Sequence, residues 1–129
     1  MNFSDTICAP ATPPGGALGI LRLSGDKSYE IMAGLVRFPS SDKKIEEQEA
    51  NTTHFCNIMD GDALVDEVIL SLFRAPRSYT GEDMIEISCH GSEYIQKKIL
   101  ELLVSEGCRM ARPGEFTQRA FLNGKMDLS

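Results

Sequence analysis

The sequence lacks long hydrophobic runs and the common loops that bind nucleotide phosphates. Its longest wholly apolar runs are only a few residues, whereas a membrane-spanning helix needs about 20. The N-terminal MNFSDTICAP has no basic segment before its apolar stretch, so no signal peptide is expected. Neither GxxxxGKS/T nor GxGxxG occurs. The absence of a membrane-spanning run and of a signal peptide predicts a cytoplasmic protein, and the absence of both loops means that no nucleotide phosphate site is expected.

The four cysteines are scattered, and no two of them form a CxxC pair. In a cytosolic chain such cysteines are expected to be small buried residues rather than disulfides or metal ligands. Cys89 and His90 are adjacent, but neighbours on a strand point to opposite faces and cannot hold one ion. A zinc site is therefore not expected. His90 stands alone at a strand-to-helix turn and is predicted to be structural rather than catalytic.

The charge balance is acidic, with 13 Lys and Arg against 19 Asp and Glu and a formal net charge of −6. Such a surface does not attract a phosphate backbone on average, so any contact with nucleic acid should be local or minor. With 129 residues, 42% of them hydrophobic and 25% charged, the chain should form one globular domain over residues 1–129.

Hydrophobic periodicity predicts the element order β-β-α-β-β-β-α-β-α. The predicted strands cover residues 7–9, 18–24, 53–59, 64–74, 83–89 and 108–111. The predicted helices run from Gly25-Asp26 to about Arg37, from the Ser92 cap to Glu106, and from Glu115 to a stop at Asn123-Gly124. The polar stretch over residues 39–51 is interpreted as a mobile or length-variable loop. This order favours an α+β fold, a mixed sheet packed by about three helices.

Two charged residues lie inside predicted strands. Arg22 shares a predicted strand face with Leu18 and Ile20. Three explanations are open for a charge in this position: the strand lies at a sheet edge, the side chain extends its charge to solvent, or it faces a ligand anion. Glu86 alternates with the apolar Ile85 and Ile87. It is either a carboxylate on a solvent-exposed face or a bidentate acceptor for the N–H edge of a flat heterocycle.

The stretch ARPGEFTQRAFLNGKMDL, residues 111–128, is too polar to be ordinary core. Phe116, Ala120 and Phe121 are predicted to share one helix face, and Lys125 follows the helix stop. The chain ends at Ser129 without a tail, and we interpret it as a fragment of a longer protein. No set of nucleophile, base and orienting group is evident, so the residues themselves predict a binding domain rather than a catalyst.

Four segments together resemble one family. They are DTICAPATPPGG, GILRLSG, PRSYTGEDMIEISCHG and ARPGEFTQRAFLNGKMDL, and their order and spacing match over essentially the whole chain. The chain resembles the N-terminal domain of the MnmE (TrmE) family of bacterial tRNA-modification GTPases. The resemblance implies a fold similar to folate-binding aminomethyltransferase domains. It also implies a homodimer formed through this domain.

For the full-length protein, the resemblance implies modification of carbon 5 of the wobble uridine of tRNA together with the flavoprotein MnmG (GidA). GTP, K⁺ and Mg²⁺ would bind only in a GTPase domain outside this chain, so the fragment alone is not expected to be catalytic. The one-carbon unit would come from 5-formyltetrahydrofolate or another one-carbon tetrahydrofolate. The matching motif positions assign the folate contacts to Arg22, Glu86 and Lys125.

The sequence departs from the family at the glycine turn, where TPPGGA replaces TPPGRG, and at HGS, which replaces HGG. An altered turn would change the rim of the pocket or the dimer contact. A dimerisation scaffold without a functional folate pocket is therefore the alternative function. A free-standing one-carbon transferase is a third hypothesis, and it lacks a candidate acid or base other than His90.

Overall fold

The computed structural model describes residues 5–13, 15–39 and 41–125. Three features predicted from the sequence fall partly or wholly outside these ranges. They are the glycine turn at Pro14, the polar loop at Ser40, and the C-terminal residues 126–129 with Ser129.

A seven-stranded sheet forms the centre of the described structure. Its strands are β1 (Ile7–Pro10), β2 (Leu18–Ser24), β3 (Val36–Arg37), β4 (Thr53–Asp60), β5 (Ala63–Phe73), β6 (Met84–His90) and β7 (Arg109–Met110). They lie in the order β3-β4-β5-β6-β2-β1-β7. Neighbouring strands are antiparallel except β1 and β7, which are parallel. The predicted α+β fold with a mixed sheet and three helices is confirmed.

The helices are α1 (Ser28–Ala33), α2 (Glu93–Ser105) and α3 (Glu115–Leu122), and a short 3-10 turn spans Ile45–Glu47. Side chains of α1 and α2 pack on one face of the sheet, where Leu21, Leu23, Ile85 and Ile87 are fully buried. Because strand residues alternate, the positions between them point to the opposite side. This second side is called the open face, and it carries Ile20, Arg22, Phe55, Ile69, Glu86 and Ser88.

The first helix is shorter than predicted. It ends at Ala33, and Val36 and Arg37 pair with β4 instead of continuing the helix. Leu35 and Phe38, two residues of the predicted helix stripe, are still buried. Burial of these positions suits either conformation, so their spacing alone did not show that the chain leaves the helix to join the sheet edge.

The polar loop contains more order than its composition suggests. Ile45 is only 1% exposed and belongs to the core. Arg74 donates hydrogen bonds to the carbonyl oxygens of Glu46 and Gln48, each at 2.9 Å. The described part of this loop is therefore held by the residue that follows β5.

The orientation of α3 differs from the prediction. Its buried residues are Glu115, Arg119 and Ala120, while Phe121 is 43% exposed. The two charged residues are buried because they pair with each other and with other charged groups. Of the helices in the described ranges, none has the length and apolar character needed to cross a membrane.

Candidate functional site

Arg22 and Glu86 lie directly opposite each other on the adjacent antiparallel strands β2 and β6. The Nε of Arg22 donates to Oε2 of Glu86 at 2.6 Å, and both side chains are partly exposed on the open face. Oε1 of Glu86 accepts no hydrogen bond from another described residue. The pair therefore presents one unused carboxylate oxygen and the two terminal nitrogens of a guanidinium.

The pair lines a cavity of about 430 Å³, called the pair cavity, whose other walls are Phe73, Tyr79 and Met84. Two aromatic rings and a thioether around a single carboxylate form the kind of lining that binds flat, apolar ligands with a polar edge. The two sequence-predicted residues of β2 and β6 are thus brought together, in a cavity suited to a heterocycle.

Tyr79 lies at the rim of this cavity, on the loop between β5 and β6. Its ring centroid is 5.7 Å from the guanidinium carbon of Arg22, and its hydroxyl is 2.9 Å from that of Thr117 on α3. The contact with Thr117 places the ring between the sheet and α3.

Hydrogen bonds to buried groups fix the loop that carries Tyr79. Ser24 Oγ is 2.7 Å from the hydroxyl of Thr80 and donates to Glu82 at 2.6 Å. The side-chain amide of Asn123 donates to the carbonyl oxygen of Thr80 at 2.9 Å. The loop is therefore tied both to β2 and to the end of α3.

A buried ion cluster connects α3, this loop and the chain before β1. Arg119 is 1% exposed and donates to Asp5 at 2.6 Å and to Glu82 at 3.2 and 3.3 Å. Glu115 receives hydrogen bonds from both Arg109 and Arg119. The bonds from Arg109 are the main reason that the pKa of Glu115 is lowered to about 2.

The sequence analysis did not predict this ion cluster. The one local signal was the spacing of Glu115 and Arg119, which places them on the same side of a helix. The partners of Arg119 lie 37 and 114 residues away in the chain, and the sequence pattern does not identify them.

Lys125, the third predicted contact, follows the C-terminal end of α3. It is exposed, its N–H donates to the carbonyl oxygen of Ala120 at 2.7 Å, and it is not among the described residues lining the pair cavity. A Cβ added at Gly81 would come within 3.3 Å of its Cγ. Its aliphatic stem therefore lies beside the loop that carries Tyr79.

The cysteines and His90 are held by contacts within the fold. All four cysteines are free and buried, and burial raises the pKa of Cys56 to about 12 and that of Cys89 to about 11. The Nδ1 of His90 is 2.6 Å from Asp66, which also accepts the backbone N–H of His90. Among residues 5–13, 15–39 and 41–125, no cluster of three or more potential ligands could hold a metal ion.

Comparison with known proteins shows which family this chain belongs to. Residues 6–125 match the family described as the GTP-binding protein TrmE N-terminus. The chain belongs to this family. The resemblance carried by the four sequence segments is thereby confirmed, over nearly the whole chain.

Three relatives of this TrmE N-terminal domain are each named tRNA modification GTPase MnmE. The protein from Bacteroides fragilis is 55% identical over 125 residues, 97% of this chain. The protein from Christiangramia forsetii is 54% identical over 130 residues, 100% of the chain. The Porphyromonas gingivalis protein is 47% identical over 126 residues. The chain spans about 27% of the length of these curated relatives.

Proposed function

We propose that this TrmE N-terminal domain binds a one-carbon tetrahydrofolate, such as 5-formyltetrahydrofolate, and forms a homodimer. The observation that carries the folate proposal is the Arg22–Glu86 pair in its partly aromatic cavity. A carboxylate with one unused oxygen can accept two N–H bonds from the amino-pyrimidine edge of a reduced pterin, once Arg22 gives up or shares its bond.

Arg22 and Lys125 have different roles in this proposal. Arg22 lies next to Glu86 and has two terminal nitrogens that form no hydrogen bond with another described residue. In this proposal it binds a formyl or carboxylate oxygen of the ligand in the pair cavity. Lys125 lies beside Gly81 of the Tyr79 loop and is exposed, so in this proposal it contributes a charge at the rim.

For the full-length protein we propose the activity that its relatives' names state, tRNA modification by a GTPase. The tRNA substrate is modified at carbon 5 of the wobble uridine, with the flavoprotein MnmG as partner, in the cytoplasm. GTP, K⁺ and Mg²⁺ belong to a separate GTPase domain. This chain supplies the bound one-carbon folate and is not itself catalytic.

Calorimetric titration of the chain with 5-formyltetrahydrofolate tests the proposal. Glu86→Ala should weaken binding by about 1–3 kcal/mol, because a charge-assisted pair is lost. Glu67→Ala is the matched control, since it removes an exposed carboxylate from the neighbouring strand β5 without altering the cavity lining. Equal affinities of the parent and Glu86→Ala, with both folded by circular dichroism, would remove the assignment of the folate contact to Glu86, and no binding by the folded parent would contradict the folate proposal.

The open face also supports dimerisation, which the folate proposal shares with the second candidate function, a dimerisation scaffold without a functional folate pocket. Phe55 and Ile69 are direct cross-strand partners and are 59% and 46% exposed. Contiguous apolar area exposed on a sheet face is the kind of surface that forms interfaces, and Phe55 and Ile69 contribute to such an area. Sedimentation of the parent and of Phe55→Ser tests the dimer. A folded dimer that binds no folate would favour the scaffold, and a parent that stays monomeric at high concentration would contradict the dimer.

A further inference from the structure

A second cavity lies beside the pair cavity and shares two of its residues. This neighbouring space, called the α3 cavity, has a volume of about 440 Å³ and is lined by β1, β2, the Tyr79 loop and the segment that enters α3. Arg22 and Tyr79 line both spaces. The two spaces therefore meet at Arg22 and Tyr79, which a ligand held at Glu86 would have to pass to reach the α3 cavity.

The charges of the α3 cavity favour an anion. Its charged lining residues are Arg22, Arg112 and Glu115. Glu115 is neutralised by Arg109 and Arg119 and also accepts the backbone N–H of Arg112. The side chain of Arg112 is exposed and forms no ion pair within the part of the chain that the structure describes. The guanidinium of Arg112 is therefore available to bind an anion, because the nearby carboxylate of Glu115 is already neutralised by Arg109 and Arg119.

The uncharged walls of the α3 cavity suit an aromatic or aliphatic linker. Pro10, Pro113 and Phe116 contribute rings, and three alanines complete the apolar part. A ligand that fits both spaces has a flat polar heterocycle at Glu86, a short apolar linker past Tyr79, and carboxylates near Arg112. A folate with a chain of γ-linked glutamates has this order of groups.

We infer that the α3 cavity binds the glutamate chain of the ligand, and that Arg112 makes the domain prefer polyglutamylated folates over the monoglutamate. This inference rests on the proposed folate function and extends it to the choice between forms of the ligand. Arg112 contacts the ligand but takes no part in holding its heterocycle.

The test compares 5-formyltetrahydrofolate bearing one glutamate with the form bearing three, by calorimetry at low and high salt. The parent should bind the triglutamate about fivefold more tightly, as one exposed ion pair allows, and added salt should reduce the ratio. Arg112→Ala should bring the ratio close to one, because it should lower the affinity for the triglutamate more than the affinity for the monoglutamate. Lys97→Ala, which removes an exposed cation from α2 on the other side of the sheet, should keep the parent ratio.

The possible results separate the two proposals. Equal affinity of the parent for both forms, or an unchanged ratio in Arg112→Ala, would overturn the glutamate-chain site while leaving the folate function in place. Binding of neither form by a folded parent would overturn both. Two results together would support both the folate function and the glutamate-chain site. Glu86→Ala should lose monoglutamate binding, and only Arg112→Ala should lose the preference for the triglutamate.

Discussion

Gly91 packs directly against the carbonyl group of Gly16. A Cβ added at Gly91 would overlap that carbonyl oxygen, and the N–H of Gly91 donates to the carbonyl oxygen of Ala17 at 3.0 Å. The residue that follows β6 is therefore in contact with the turn that precedes β2. This turn is also where the sequence departs from the family, and Gly15 and Gly16 are not among the described residues lining either cavity.

Gly91→Ala should destabilise the fold by about 1–3 kcal/mol or more, because the new methyl group meets backbone that cannot rotate away. Urea denaturation measures the change. Gly16→Ala is the matched control, since its added Cβ would lie at an ordinary 3.4 Å from the carbonyl oxygen of Leu18. Equal midpoints for the two variants would show that the turn and Gly91 separate at little cost.

The buried ion cluster predicts a large effect of removing Arg119. Arg119→Met should lower the free energy of unfolding by about 3–5 kcal/mol, because Glu82 would be left as a buried carboxylate without its cationic partner, whereas Glu115 keeps Arg109. Combining Arg119→Met with Glu82→Gln should recover part of the loss. Chemical denaturation of the single and double variants measures this coupling, and strictly additive losses would contradict it.

Protonation of Glu115 should lower the stability of the fold in acid. Hydrogen bonds from Arg109 lower its pKa to about 2 in the folded state, below the ordinary value of 4.5. The ionised form is therefore favoured by folding, and its contribution is present above about pH 4.5 and is lost as the pH falls towards about 2. That contribution is at most about 3 kcal/mol. Glu115→Gln should be less stable at pH 7 and flatter between these pH values, and parallel curves for the two proteins would refute this role.

Local sequence signals predicted the elements that depend on local chemistry. The alternation in LGILRLS predicted β2 with the bounds that the structure shows, Leu18–Ser24. Pro113-Gly114 and Asn123-Gly124 flank α3 as expected, and Gly114 adopts the left-handed conformation with φ 76°. Alternation and turn chemistry are read within one segment, so no knowledge of distant contacts was needed.

Features that depend on distant partners were missed or only half predicted. The two residues of β3 are a strand only because β4 lies beside them. Arg22 and Glu86 were each predicted as functional, but their pairing required the register between strands 64 residues apart. The role of Lys125 as a ligand contact stays a prediction, because the structure places it beside Gly81 rather than in the lining of the pair cavity.

Tyr79 offers a test of how the rim of the site works, because its ring and its hydroxyl have separate contacts. The ring faces Arg22 and lines both cavities, whereas the hydroxyl contacts Thr117 on α3. If the ring covers the bound ligand, Tyr79→Phe should keep the affinity for 5-formyltetrahydrofolate within about twofold. Tyr79→Ala should lower it about fivefold, the loss expected for one aromatic contact of about 1 kcal/mol. Calorimetry distinguishes the two variants, and equal losses in both would assign the effect to the hydroxyl and the position of the loop instead of the ring.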